Sequence, residues 1–144
     1  MSTEDVENFI REAYGELNRA FREPSGRALR DYLEEYWDLG AVYVNPPDAP
    51  DPGAHAGIDA VWTQFRRWVE PIPNLQVEPL EIIPASGNKV FAWVRFSGHG
   101  AGSAVPIDVG VAQVVTVGNR KIQCCESFTE RDKALKAAGL SELP

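Results

Sequence analysis

The sequence predicts an α+β fold in which a strongly curved, mainly antiparallel sheet wraps around three N-terminal helices, with a short helix at the C-terminal end. Three observations carry this expectation. Apolar residues recur at helical spacing through most of the first 70 residues, whereas in residues 75–128 they alternate or form unbroken apolar faces. The separators between these later runs are short, which hairpins allow and parallel crossovers do not.

Ser2 or Thr3 can cap the first helix, whose acidic start, Glu4-Asp5, suits the positive end of the helix dipole. Val6, Ile10, Ala13, Leu17 and Phe21 then follow on one face, so the helix runs to about Glu23. Pro24-Ser25-Gly26 breaks it, and Ser25 restarts a shorter helix reaching Tyr36 or Trp37 with Leu29 and Leu33 inward. A β-prone run, 41–45, leads into a proline-rich loop, 46–53, short of backbone donors and placed to form a pocket rim. Gly57 opens a third helix with Ile58, Val61, Trp62, Phe65 and Val69 on one side, stopped by Pro71 and Pro73. Strands are expected at 75–83, 89–98, 105–117 and 121–128, with Pro79 marking a bulge or an edge. Thr129 or Ser127 can cap a last helix, 130–138, ended by Gly139.

At 144 residues the chain is expected to form one domain, residues 1–144, with a core large enough to need neither disulfide nor structural metal. A net charge of −7 with scattered basic residues argues against nucleic acid and anionic membrane surfaces as partners. No apolar run approaches the roughly 20 residues that span a bilayer, and the acidic N-terminus is unlike a signal peptide, so a cytoplasmic location is expected. Cys124 and Cys125 are adjacent and read as reduced packing residues. With no ligand set at metal spacing, neither metal nor cofactor is expected. In the strands 89–98 and 105–117 both faces carry apolar residues, so the outer face of the meander needs a cover, and a homodimer through that face would supply one.

The layout, together with the phrases Arg-Glu-Ala-Tyr-Gly-Glu-Leu-Asn at 11–18, Ala-Val-Tyr-Val-Asn-Pro-Pro at 41–47 and Phe-Thr-Glu-Arg-Asp-Lys-Ala-Leu at 128–135, resembles the SnoaL-like branch of the NTF2-like superfamily over about residues 5–140. That resemblance implies an NTF2-like cone whose concave face holds a lipophilic small molecule. Ketosteroid isomerases, polyketide cyclases, limonene-1,2-epoxide hydrolases, dehydratases and non-catalytic binders share the fold, so it specifies architecture more closely than activity.

On that architecture, alternation turns inward Tyr43 and Asn45; Trp93, Arg95, Ser97 and His99; Asp108, Gly110 and Ala112; and Cys124, Glu126 and Phe128. Tyr14, Trp62 and Phe65 join them from the helices. Against the isomerase pattern, Tyr14 fits the tyrosine, but Asn45 stands at the base and Ala112 at the second oxyanion donor. An amide cannot abstract the proton and a methyl cannot donate a hydrogen bond. The epoxide-hydrolase pattern fits further: Glu126 as base for a water held by Tyr43 and Asn45, with Arg95 orienting the carboxylate; Ser97 is a poor acid, so either His99 or Asp108 replaces it or the reaction is a different one. The plainer alternatives are a core tyrosine at 14 and an Arg95–Glu126 ion pair that only fixes strand pairing. Three readings therefore stand: a cofactor-independent hydrolase or isomerase/cyclase, a non-catalytic ligand binder, and a protein-interaction module.

Overall fold

The computed structural model describes residues 2–85, 87–100 and 106–140. Along them run α1 (Thr3–Phe21), α2 (Arg27–Tyr36), β1 (Trp37–Asn45), β2 (Gly53–Ala56), α3 (Ile58–Val69), β3 (Gln76–Pro84), β4 (Lys89–His99), β5 (Pro106–Gly118), β6 (Lys121–Phe128) and α4 (Arg131–Ala137). The strands form an open six-stranded sheet in the order β2-β1-β6-β5-β4-β3. Its pairs are antiparallel except β1 with β6, which run parallel. The expected α+β architecture is present. Two details were not anticipated: Gly53–Ala56 leaves the proline-rich loop to pair with β1, and β1 begins at Trp37 rather than at residue 41. Val105, the expected start of the third strand of the meander, lies outside the described residues.

Helix boundaries follow local chemistry. Ser2 caps α1, its hydroxyl accepting from the Asp5 amide at 3.1 Å while the Asp5 carboxylate accepts from the Ser2 amide. Before α2 the cap is more elaborate than a lone serine. Gly26 occupies the N-cap at φ 85°, and the Glu23 carboxylate accepts from the Ser25 amide, the Ser25 hydroxyl and the Ala28 amide. At α4 neither Ser127 nor Thr129 is the cap. Glu130 holds the N-cap position without a side-chain bond, because β6 runs on to Phe128 and Ser127 is committed to the interior. Gly139 ends α4 at φ 83°, with the Gly139 amide donating to Lys136 and the Leu140 amide to Leu135, the two bonds of a Schellman motif.

The inner face of the sheet packs against α1, α2 and α3. There Val90, Ala92 and Val94 of β4 meet Ile10, Leu17, Leu33, Val61 and Phe65 in the main core. Edge strand β3 is handled in two ways: its register shifts between Pro79 and Glu81, and Asn18 of α1 brackets Val77. The Asn18 amide donates to the Val77 carbonyl, and the Val77 amide donates to the Asn18 carbonyl oxygen, both at 2.6 Å. On the outer face the sequence had called for a second subunit, but α4 supplies part of the cover. Phe91, Ala112 and Val114 pack against Ala134, Leu135 and Ala138, with Trp93, Phe128 and Leu140 at the margin. Gly110 belongs to the same surface, because a Cβ there would stand 2.5 Å from Cζ2 of Trp93. The guanidinium of Arg131 lies over Phe91 and Trp93 and pairs with Glu81.

Candidate functional site

Between the three helices and the inner face lies an aromatic-walled interior in two parts. The inner part, bounded by Ile10, Tyr14, Tyr32, Trp37, Phe65, Gln113 and Cys125 among others, leaves about 30 Å³ free. The outer part is a cleft of about 380 Å³ whose walls include Asn45, Pro46, Ile72, Val109, Val111 and Ser127. Tyr43, Trp68 and Phe96 border both. Trp68 meets Tyr43 edge-on at 5.1 Å and Phe96 edge-on at 5.8 Å, so these three rings form the partition.

The sheet register sets which side chains reach this space. Ala92 faces Gln113 across β4 and β5, and Gln113 faces Ser127 across β5 and β6. Tyr43 aligns with Cys125 in the parallel pair. Inward positions are therefore Tyr43 and Asn45 on β1, Cys125 and Ser127 on β6, Gln113 and Val115 on β5, and Val94 and Phe96 on β4. From these strands and α1 a buried polar chain crosses the interior. The Tyr14 hydroxyl donates to Oε1 of Gln113 at 2.5 Å, Nε2 of Gln113 donates to Oγ of Ser127 at 3.2 Å, and the hydroxyls of Ser127 and Tyr43 lie 2.5 Å apart. Beside it the Trp37 indole donates to the Tyr32 hydroxyl at 3.2 Å. Burial pushes the hydroxyls of Tyr14, Tyr32 and Tyr43, and the Cys125 thiol, well above their ordinary pKa values. At neutral pH they are donors, not bases.

The loop at the mouth is pinned through Asp51. Its carbonyl accepts from Nδ2 of Asn45 at 2.8 Å and lies 3.1 Å from Nε2 of His55, and its carboxylate accepts from Nη1 of Arg67 at 2.7 Å. Arg67 is the only charged side chain on the walls of the interior among the described residues.

Of the residues singled out from the sequence, Tyr14, Tyr43, Asn45 and Phe65 line this interior. Trp62 does not; its indole donates to the Gly26 carbonyl at 2.8 Å and braces α3 against the start of α2. Trp93, Arg95, Ser97, Asp108, Ala112, Glu126 and Phe128 sit on the other parity of their strands and face away from the helices, not inward as expected. Arg95 and Asp108 form an exposed bidentate ion pair at 2.7–2.8 Å. The pair holds the Asp108 carboxyl below its ordinary range and replaces the expected Arg95–Glu126 contact. His99 is exposed beside Asn74. Glu126 is register partner of Val44 and lines an adjoining polar cleft with Pro47, Pro52, Glu130 and Lys133, which shares Asn45, Pro46, Ser127 and Thr129 with the outer cleft.

The slip has a physical origin. β4 is apolar on both faces, so alternation alone cannot orient it, and a one-residue offset reverses every side chain. Energetic reasoning would have chosen correctly, since Val90-Ala92-Val94-Phe96 inward costs nothing, whereas Arg95 and Glu126 inward would each bury a charge. The same correction brings in Gln113 and Ser127, which the sequence reading missed. Their signal was a polar residue on the otherwise apolar face of a strand.

The family model of the SnoaL-like domain matches residues 14–124. The chain belongs to the SnoaL-like family. Among solved structures, this SnoaL-like chain is similar to Bal32a from a soil-derived mobile gene cassette, at 20% identity and a TM-score of 0.70 over 88% of this chain and 89% of that one. It is also similar to a Catenulispora acidiphila protein with a ketosteroid isomerase-like fold in complex with trimethylamine, at 18% identity and a TM-score of 0.64 over 92% and 98% of the two chains. An NTF2-like protein of unknown function from Burkholderia pseudomallei aligns at 16% identity and a TM-score of 0.69 over 96% and 98%. At such identities the likeness is one of fold. No curated protein matches the sequence.

Proposed function

We propose that this SnoaL-like domain binds a small, largely apolar, uncharged molecule in the outer cleft and holds it without chemical change. One observation carries the reading: apart from Arg67 at the rim, the walls of the interior are apolar or neutral, and the buried hydroxyls among them stay protonated. A general base must reach the proton that it removes, and no carboxylate or imidazole lines this space among the described residues. The polar groups instead fix orientation within an apolar volume, the usual division of labour in a binding site. Hydrolysis through Glu126 is disfavoured because Glu126 has the opposite strand parity from Ser127 and lines the adjoining polar cleft, not the outer cleft itself.

The test is thermal denaturation with a panel of neutral terpenoids, aromatic ketones and charged analogues, each recovered and checked for conversion. A ligand at about 100 times its dissociation constant adds ~2.7 kcal/mol to stability, a readily measured rise in melting temperature. The reading expects neutral ligands to raise it, to be recovered unchanged, and to bind Glu126→Gln as they bind the native chain. Conversion of a ligand that Glu126→Gln stops would overturn it.

A further inference from the structure

The chemical class of the ligand follows from counting protons along the buried chain, an inference that rests on the pocket reading above and narrows it. Tyr14 spends its one hydroxyl proton on Oε1 of Gln113. Gln113 spends one amide proton on Oγ of Ser127. Ser127 and Tyr43 then make a single contact between two hydroxyls, which consumes one proton whichever of them donates. Two hydroxyls carry two protons, so with the Gln113 amide oriented toward Tyr14 and Ser127 as it is, one is surplus whichever hydroxyl donates. Among the described residues, no other acceptor is hydrogen-bonded to either hydroxyl. Both side chains border the outer cleft, where Pro46, Phe96, Ile107, Val109 and Val111 offer no side-chain acceptor, and the acceptors of Asn45 and Thr129 on its wall are hydrogen-bonded to neither hydroxyl.

A buried donor without a partner is costly, and a ligand can supply the partner. We infer that the cleft recognises its ligand through an oxygen that accepts a hydrogen bond and donates none, a ketone, ester, lactone or quinone carbonyl on an apolar skeleton, met by the surplus proton of the Tyr43–Ser127 pair. The apolar walls sharpen the selection. Away from Arg67 and Thr129 at the rim, a carbonyl placed elsewhere against these walls loses its water and gains nothing, which favours one orientation of the skeleton.

Calorimetric binding of α-tetralone and of tetralin, which differ by that carbonyl, tests the assignment. The native chain should bind α-tetralone more tightly by roughly fivefold or more, the worth of one hydrogen bond; a cleft without the donor favours tetralin, because the ketone must shed water. Tyr43→Phe and Ser127→Ala each leave one hydroxyl with its own proton, so each single variant keeps the preference. The double variant should lose it while still binding tetralin, because the Gln113 amide proton freed by the loss of Ser127 lies in the inner part, beyond the partition. If both probes bind the native chain and tetralin binds as well as α-tetralone, the carbonyl inference fails and the pocket reading stands. If neither probe binds, both fail. Should the double variant not fold, the infrared carbonyl band of α-tetralone bound to the native chain reads the same bond. A band below its position in hydrocarbon solvent supports the inference, and a band at that position overturns it.

Discussion

Replacing Gln113 by leucine tests whether the polar chain is a connected unit. Tyr14 is 7% and Gln113 4% exposed, so neither can turn to bulk water when its partner goes. Gln113→Leu keeps the volume but orphans the Tyr14 hydroxyl, at about 1–3 kcal/mol, and also removes the bond to Ser127, worth about 1 kcal/mol. Tyr14→Phe in turn orphans Oε1 of Gln113, again at about 1–3 kcal/mol. Combining the two removes donor and acceptor together. The orphaning penalties then vanish, and only the lost bonds remain. The double variant should therefore be more stable than the sum of the single losses predicts, by about 1–3 kcal/mol. Urea denaturation followed by tryptophan fluorescence, with unchanged denaturant slopes, supplies the three free energies. Additivity within about 0.5 kcal/mol would show that the two side chains do not depend on each other, and the reasoning about the interior would fail.

Other expectations follow from single features. Hydrogen bonds from Ser25 and Ala28 lower the Glu23 carboxyl to about 2 from 4.5. Because the folded pKa is the lower one, its contribution is complete above pH 4.5 and is lost as the pH falls toward 2. Glu23→Gln should flatten that part of the acid-denaturation profile. Gly110→Ala places a methyl against the Trp93 indole and should cost about 1–3 kcal/mol in thermal denaturation, a penalty that Trp93→Leu in the same chain relieves. Arg95→Ala breaks only an exposed pair, so it should leave ligand affinity unchanged by calorimetry. Ser2→Ala removes the α1 cap and should lower stability by about 1 kcal/mol in the same denaturation assay.

The fold was readable from the sequence because its signals are local. Helical spacing from Val6 to Phe21, the break at Pro24-Ser25-Gly26 and the turn at Gly118-Asn119 each act over a few residues. The orientation of side chains was half readable. Tyr14, Tyr43, Asn45 and Phe65 face the interior as expected because each element has one clearly apolar side. Trp93, Arg95, Asp108, Ala112 and Glu126 were misplaced because their strands have two apolar faces, one for the helices and one for α4. That second burial is a long-range event. The sequence of β4 records that both faces are buried but not which covering layer meets which face. β2 was missed for a similar reason, as Gly53-Ala-His-Ala has little strand propensity and is ordered by the neighbouring strand.

The parallel pairing of β1 with β6 has a consequence for how the pocket comes into being. Val44 and Glu126 are register partners although about eighty residues separate them along the chain. Until β6 is laid down, β1 has only the short β2 beside it, and Tyr43 has no Ser127 to meet. The residues at 14, 43, 113 and 127 come from four separate elements and converge only when β6, the last strand in chain order, is paired with both β5 and β1. A partly assembled chain, with most of its helices and hairpins made, would therefore contain no version of this site at reduced strength. Ligand occupancy would report completed assembly, and a ligand present during synthesis would favour the final closing step over any earlier one.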